Sequence, residues 1–133
     1  MIEGSKILML VPHLYLNGRC EEAISQYVKA FGAEVKVLIR HSESDKKGVL
    51  HSEIHIHGQR IMLNDVNGKI DYKRGTQELV IIYNNEEDLK NSYEIMKEGS
   101  HTLSPMQAAD YSPCVVEFWD KFGILWGFMV GET

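Results

Sequence analysis

Four side chains that can handle protons or metals alternate through one short stretch: His51, Glu53, His55 and His57. On a strand, residues two apart share a face. Two imidazoles with a carboxylate between them can then chelate zinc, nickel or iron. The commoner use of such a run is a polar sheet face, turned to water or to a partner subunit. His57 stands next to a turn and is expected at the surface. A second carboxylate, Glu117, lies among apolar residues. In a dry cleft its pKa would rise and it could serve as a general base. The alternative is a carboxylate satisfied by Arg60, a histidine or solvent. Glu117, Glu53 and His55 are therefore the candidate catalytic residues. His13, His41 and His101 are scattered, and His41 reads as plain surface.

These groups need elements to hold them, and the elements come twice. Gly58-Gln59-Arg60-Ile61-Met62-Leu63 finds an echo sixty-five residues on in Gly123-Ile124-Leu125-Trp126-Gly127-Phe128. The apolar run from Ile7 to Leu16 predicts a strand. Asn17 or Gly18 then caps a helix, with Glu21 and Glu22 in its first turn. Ala23, Ile24, Tyr27 and Phe31 form its buried stripe, and Gly32 ends it. Strands follow over Val35–Arg40, Val49–His57 and Arg60–Asp65, with a charged loop from His41 to Gly48. Val66 to Thr76 connects the halves. The second half repeats the order: strand Leu79–Tyr83, then a helix capped by Asn85. Leu89, Tyr93 and Met96 are its buried stripe, and Gly99 ends it. A short strand starts at Thr102-Leu103, a loop runs from Ser104 to Pro113, and a hairpin spans Val115–Asp120 and Ile124–Val130. The pattern is β-α-β-β-β, twice, within one domain covering residues 1–133. Module one takes about 7–65 and module two about 77–130.

A helix can cover only one face of each sheet. In the first hairpin Ile54, Ile56, Ile61 and Leu63 fall on the helix side. With Gly58-Gln59 as the turn, Ile56 would face Ile61, Ile54 would face Leu63 and His55 would face Met62. The other face then carries His51, Glu53, His55 and His57 beside Arg60, Met62 and Asn64, and on the first strand His13 and Tyr15 oppose Leu14 and Leu16. In the closing hairpin Val116, Phe118, Trp126 and Phe128 take the helix side. Glu117, Trp119, Leu125, Gly127 and Met129 take the other.

Composition narrows the field. A chain of 133 residues, 44% apolar, is enough for one domain with a core. The net charge of -5 gives no basic footprint for nucleic acid. No apolar run approaches the roughly 20 residues of a membrane span, and the five apolar residues before Pro12 are too few for a secretory signal. Cys20 and Cys114 form no zinc or disulfide framework. They read as free thiols in a reducing cytoplasm, with a single long-range bridge as the alternative.

The segment Asn17-Gly18-Arg19-Cys20-Glu21-Glu22-Ala23-Ile24, with Tyr27 and Phe31-Gly32-Ala33-Glu34, resembles the first helix of PhnB-like proteins. His51-Ser52-Glu53-Ile54 through Gly58, then Ile61-Met62-Leu63-Asn64-Asp65, resembles their His-Ala-Glu strand and hairpin. Asp120-Lys121-Phe122-Gly123 with Trp126 resembles their closing motif. That family belongs to the vicinal-oxygen-chelate superfamily of glyoxalase I, extradiol dioxygenases, and fosfomycin- and bleomycin-resistance proteins. The resemblance implies an α+β fold: two βαβββ modules forming a curved mixed sheet around a cleft, commonly in a homodimer. Some members carry the label 3-demethylubiquinone-9 3-methyltransferase, yet no glycine-rich nucleotide loop is present here. The resemblance also assigns the metal-ligand positions of its metal-using members to Val11 (or Pro12), Met62, Glu78 and Gly127. Of these only Glu78 can be a ligand, so no metal residues and no cofactor are expected. A divalent ion displaced onto His51, Glu53 or His55 with Glu78 or Glu117 is the alternative. The loop Gln107-Ala108-Ala109-Asp110-Tyr111 departs from the Gln-Glu-x-Phe-Trp run of many members.

Two readings of function compete. One is a metal-independent small-molecule-binding protein, bleomycin-resistance-like, with Tyr15, Tyr111 and Trp119 supplying stacking area. Its site would comprise His13, Tyr15, His51, Glu53, His55, Met62, Asn64, Glu78, Tyr111, Glu117, Trp119 and Gly127. The other is an enzyme of lyase, isomerase or dioxygenase type, using a displaced metal or a Glu/His acid-base pair.

Overall fold

The computed structural model describes residues 8–42, 48–66 and 77–131. The interior of the expected charged loop, most of the connection between halves, and Ile7 lie outside the described residues. Module one consists of β1 (His13–Leu16), α1 (Cys20–Phe31), β2 (Glu34–Arg40), β3 (Val49–Ile56) and β4 (Gln59–Asp65). Module two consists of β5 (Leu79–Tyr83), α2 (Glu86–Met96), β6 (His101–Ala109), β7 (Ser112–Trp119) and β8 (Leu125–Val130). Each module makes one mixed four-stranded sheet, ordered β1-β4-β3-β2 and β5-β8-β7-β6. In both, the first strand lies parallel to the last while the hairpins are antiparallel. This is the expected α+β architecture of paired βαβββ modules.

The helices are amphipathic and close the same side of both sheets. Ala23, Ile24 and Tyr27 of α1 are buried, as are Leu89 and Met96 of α2. They meet Ile54, Leu63, Val116, Phe118, Trp126 and Phe128 in one continuous core. The helices also bond to each other, Ser92 Oγ donating to Ala30 O (2.7 Å) and Gln26 Nε2 to Ile95 O (3.2 Å). Asp120 pins the seam between modules. Its carboxylate accepts from Tyr27 OH (2.7 Å), Trp126 Nε1 (2.8 Å), Phe122 N (2.9 Å) and Ile124 N (3.0 Å). Because both helix-bearing faces share this core, the other face of each sheet is left open. Exposed apolar side chains mark these open faces, among them Tyr15, Ile39, Val80 and Ile82.

Four expectations need correction. The first strand begins only at His13. β4 starts at Gln59, so in the register His13↔Met62 the chain before Leu10 has no strand to pair with. The N-cap of α1 is Arg19, not Asn17 or Gly18, and its side chain makes no capping bond. The first amide, Cys20 N, instead donates to Asp65 Oδ1 at 3.0 Å, and Val49 N donates to Asp65 Oδ2 at 2.9 Å. The stretch from Ser104 is strand, not loop: β6 runs to Ala109 and turns at Asp110-Tyr111 into β7. β6 is an edge strand with three register shifts against β7, and an edge tolerates Pro105, so the alternation that would reveal it is broken. Finally, the β3–β4 turn is His57-Gly58, both at positive φ (48° and 80°), as a two-residue primed turn requires. Ile54 therefore faces Ile61, His55 faces Arg60 and Glu53 faces Met62. The slip from the expected register is two residues, so every side chain keeps its face.

Of the remaining local expectations, one fails, since α2 ends before Gly99 with Lys97 as its C-cap in ordinary helical geometry. Asn85 caps α2 by accepting from Asp88 N at 2.8 Å. α1 ends at Gly32 in the left-handed conformation. Cys20 and Cys114 are free and buried. Among the described residues no helix is long and apolar enough to cross a membrane.

Candidate functional site

The open face of the first sheet is a polar row built by strand alternation. His13 and Tyr15 of β1 stack face to face, with ring centroids 4.4 Å apart. His13 Nε2 is 2.8 Å from Asn64 Oδ1. Glu53 lies at the centre of the row. One carboxylate oxygen is bonded by Arg60 Nε, and the other lies 3.1 Å from His51 Nε2. Arg60, and after it His51, hold the Glu53 carboxyl below the usual range. Glu53 is thus an ionised partner of Arg60, poorly suited to take up a proton near neutrality. His55 pairs across the ladder with Arg60 on one side and Glu34 on the other.

The open face of the second sheet is acidic and apolar. Glu117 faces Gly127 across the β7–β8 ladder, and Gly127 faces Val80 of β5. The carboxyl of Glu78, just before β5, rests over Gly127. A Cβ at position 127 would lie 2.8 Å from Glu78 Oε1 and 2.9 Å from its Cδ. Gly127 is therefore the seat that lets Glu78 reach Glu117. The hydrogen bond between the two carboxyls, then burial and the neighbouring charge of Glu117, push the Glu78 pKa up to about 7. Such a pair holds one proton between two acids. Val80 and Ile82 of β5, with Leu125, Met129 and Trp119, give the surrounding face its apolar character.

The metal positions implied by the resemblance do not fit a metal. Met62 and Gly127 offer no hard donor, which leaves Glu78 as the one carboxylate at those positions. A displaced ion on the first sheet fits no better, because Arg60 and His51 already occupy both oxygens of Glu53. Among the described residues no three His, Cys, Asp or Glu side chains converge as a metal site needs.

The candidate residues therefore fall into two groups. His13, Tyr15, His51, Glu53, His55, Met62 and Asn64 share the first open face. Glu78, Glu117, Trp119 and Gly127 share the second. Tyr111 stands apart at the β6–β7 turn, at the opposite end of β7 from Trp119. At about 3.4 Å per residue the two are over 20 Å apart. Arg60, Val80 and Ile82 complete the faces. Arg60 follows from alternation along β4. Val80 and Ile82 could be found only from the parallel pairing of β5 with β8, which no local pattern announces.

Neither a family model nor a curated protein matches the sequence. Solved structures do match. A Pseudomonas aeruginosa protein is 19% identical with a TM-score of 0.84, covering 96% of this chain and 100% of that one. The Bacillus cereus PhnB protein is 22% identical with a TM-score of 0.83, covering 92% and 98%. A glyoxylase/bleomycin resistance protein/dioxygenase domain from Frankia is 18% identical with a TM-score of 0.69, covering 96% and 98%. The paired modules, their strand order and this likeness together give the chain the vicinal-oxygen-chelate fold.

Proposed function

We propose that the chain binds a small amphipathic molecule on its open sheet faces without a metal. The observation that carries this reading is the Glu78–Glu117 pair, seated on Gly127 within an exposed apolar face. A basic group on the ligand would take the place of the shared proton, and an apolar body would lie over Trp119, Val80 and Ile82. The site is completed by a second copy of the chain. The first face is a polar row of His13, His51, Glu53, His55 and Arg60, and the second carries the two carboxyls Glu78 and Glu117. Two copies related by a twofold can set the first face of one against the second face of the other. Two free, buried cysteines fit a cytoplasmic setting.

The test uses protein purified without a metal-chelating tag. Elemental analysis for Zn, Ni, Fe and Mn is expected to find far less than one ion per chain. Phenethylamine is expected to raise the Tm, its alcohol analogue is not, and Glu117→Gln is expected to remove the effect. Near-stoichiometric metal that disappears in His55→Ala would overturn the reading.

A second reading rests on the same pair. A carboxyl titrating at about 7 is poised to give and take protons as a general acid-base catalyst. Glu78 would give and take the proton, with Glu117 as its hydrogen-bonding partner. Exchange of a carbon-bound hydrogen of a bound carbonyl compound for solvent deuterium, lost in Glu117→Gln, would distinguish catalysis from simple capture.

A further inference from the structure

The apolar run ahead of β1 has the composition of a strand and no strand to join. Leu8, Met9 and Leu10 lie outside every helix and strand, because β4 starts only at Gln59 and leaves them without a neighbour. Leu8 is 89% exposed and Leu10 is 83% exposed, more than any other large apolar side chain among the described residues. Met9 between them is held to the first sheet, its Sδ accepting from Arg60 Nη1 at 3.8 Å. Apolar side chains scattered singly over a surface are ordinary, but a contiguous exposed run marks a contact.

The same chain carries an edge that fits this run. β5 bonds to β8 on one side, and no strand among the described residues pairs with its other side. The free backbone groups of such an edge are a template for a further strand. Val80 and Ile82 of β5 are exposed and two residues apart, as are Leu8 and Leu10. Residues two apart on a strand share a face, so a Leu8–Leu10 strand laid along β5 sets two apolar side chains beside two others. The chain's own β5 does not receive the run, since Leu8 and Leu10 stay exposed in the single chain. A second copy can receive it, and a twofold makes the exchange reciprocal: each copy gives one run and takes one.

We propose that Leu8–Leu10 of each copy adds as a short strand to the free edge of β5 in a second copy. The proposal rests on the two-copy reading above and names the segment that joins the copies. Leu8 and Leu10 then widen the apolar surface of Val80 and Ile82, so each ligand site is built from both chains.

The test begins with sedimentation equilibrium of the full chain. The parent is expected to be a dimer, and Leu8→Lys/Leu10→Lys a monomer with an unchanged far-ultraviolet spectrum. Cross-linking then asks which surfaces meet. Leu8→Cys and Leu10→Cys are each mixed, reduced, with Ile82→Cys and then oxidised. One of the two mixtures, whichever matches the register, is expected to give a disulfide between unlike chains. Cys20 and Cys114 are buried and do not compete. A monomeric parent would overturn the two-copy reading and this proposal with it. A dimeric parent whose Leu8→Lys/Leu10→Lys variant stays dimeric would overturn this proposal alone, and so would the absence of a mixed disulfide from both mixtures.

Discussion

At the scale of single residues, the position that decides most is the one without a side chain. Gly127 gives Glu78 room to reach Glu117, and the proton they share makes stability depend on pH. Glu78 has a folded pKa of about 7 against an ordinary value of 4.5. Its contribution is therefore fully present below about 4.5 and is lost as pH rises through about 7. Urea unfolding at pH 5 and pH 8 is expected to show a loss of stability in the parent that is smaller in Glu78→Gln. An equal pH dependence in both proteins would mean that the carboxyls do not share a proton. Glu117 was legible in the sequence as a carboxylate among apolar neighbours. Its partner was not, because Glu78 precedes β5 and only the parallel β5–β8 pairing brings it over Gly127.

At the scale of elements, the two helices are capped by different means. Asn85 caps α2 from the adjacent position, and removing it costs about 1 kcal/mol by the usual cap value. Asn17 looks like the same device in sequence, yet Asp65 does the work for α1. The expected outcome is that Asn17→Ala leaves stability nearly unchanged. Asp65→Ala should cost more than a single cap, roughly 2–4 kcal/mol, because two buried amides lose their acceptor. Chemical denaturation of the two variants checks this, and a large loss in Asn17→Ala would contradict it. The α1 stripe, its left-handed end at Gly32 and the first hairpin were readable because their signals are local. The true cap was not, since a side chain 45 positions away supplies it. β6 was hidden for a related reason: an edge strand with register shifts shows no clean alternation.

At the scale of the whole molecule, the duplicated β-α-β-β-β order was visible because each copy repeats its helix stripe and its hairpin. The division into two separate sheets was not, since it depends on α1 packing against Trp126 and Phe128 of the other module. That packing turns the open faces outward with apolar side chains exposed, Ile82 at 65% among them. Exposed apolar faces of this kind mark association surfaces. Sedimentation equilibrium is expected to give a dimer for the parent chain and a monomer for Ile82→Glu, with the fold retained in the far-ultraviolet spectrum. A monomeric parent would remove the composite site proposed above.

The bond from Cys20 N to Asp65 also has a consequence in time. A chain leaving the ribosome presents α1 long before the residue that caps it. Until β4 has emerged, the start of that helix has only water to satisfy its amide, whereas α2 carries its own cap and can form as soon as it appears. The two halves, alike in outline, therefore mature by different clocks: the first waits for its last strand, and the second has a helix ready for its sheet.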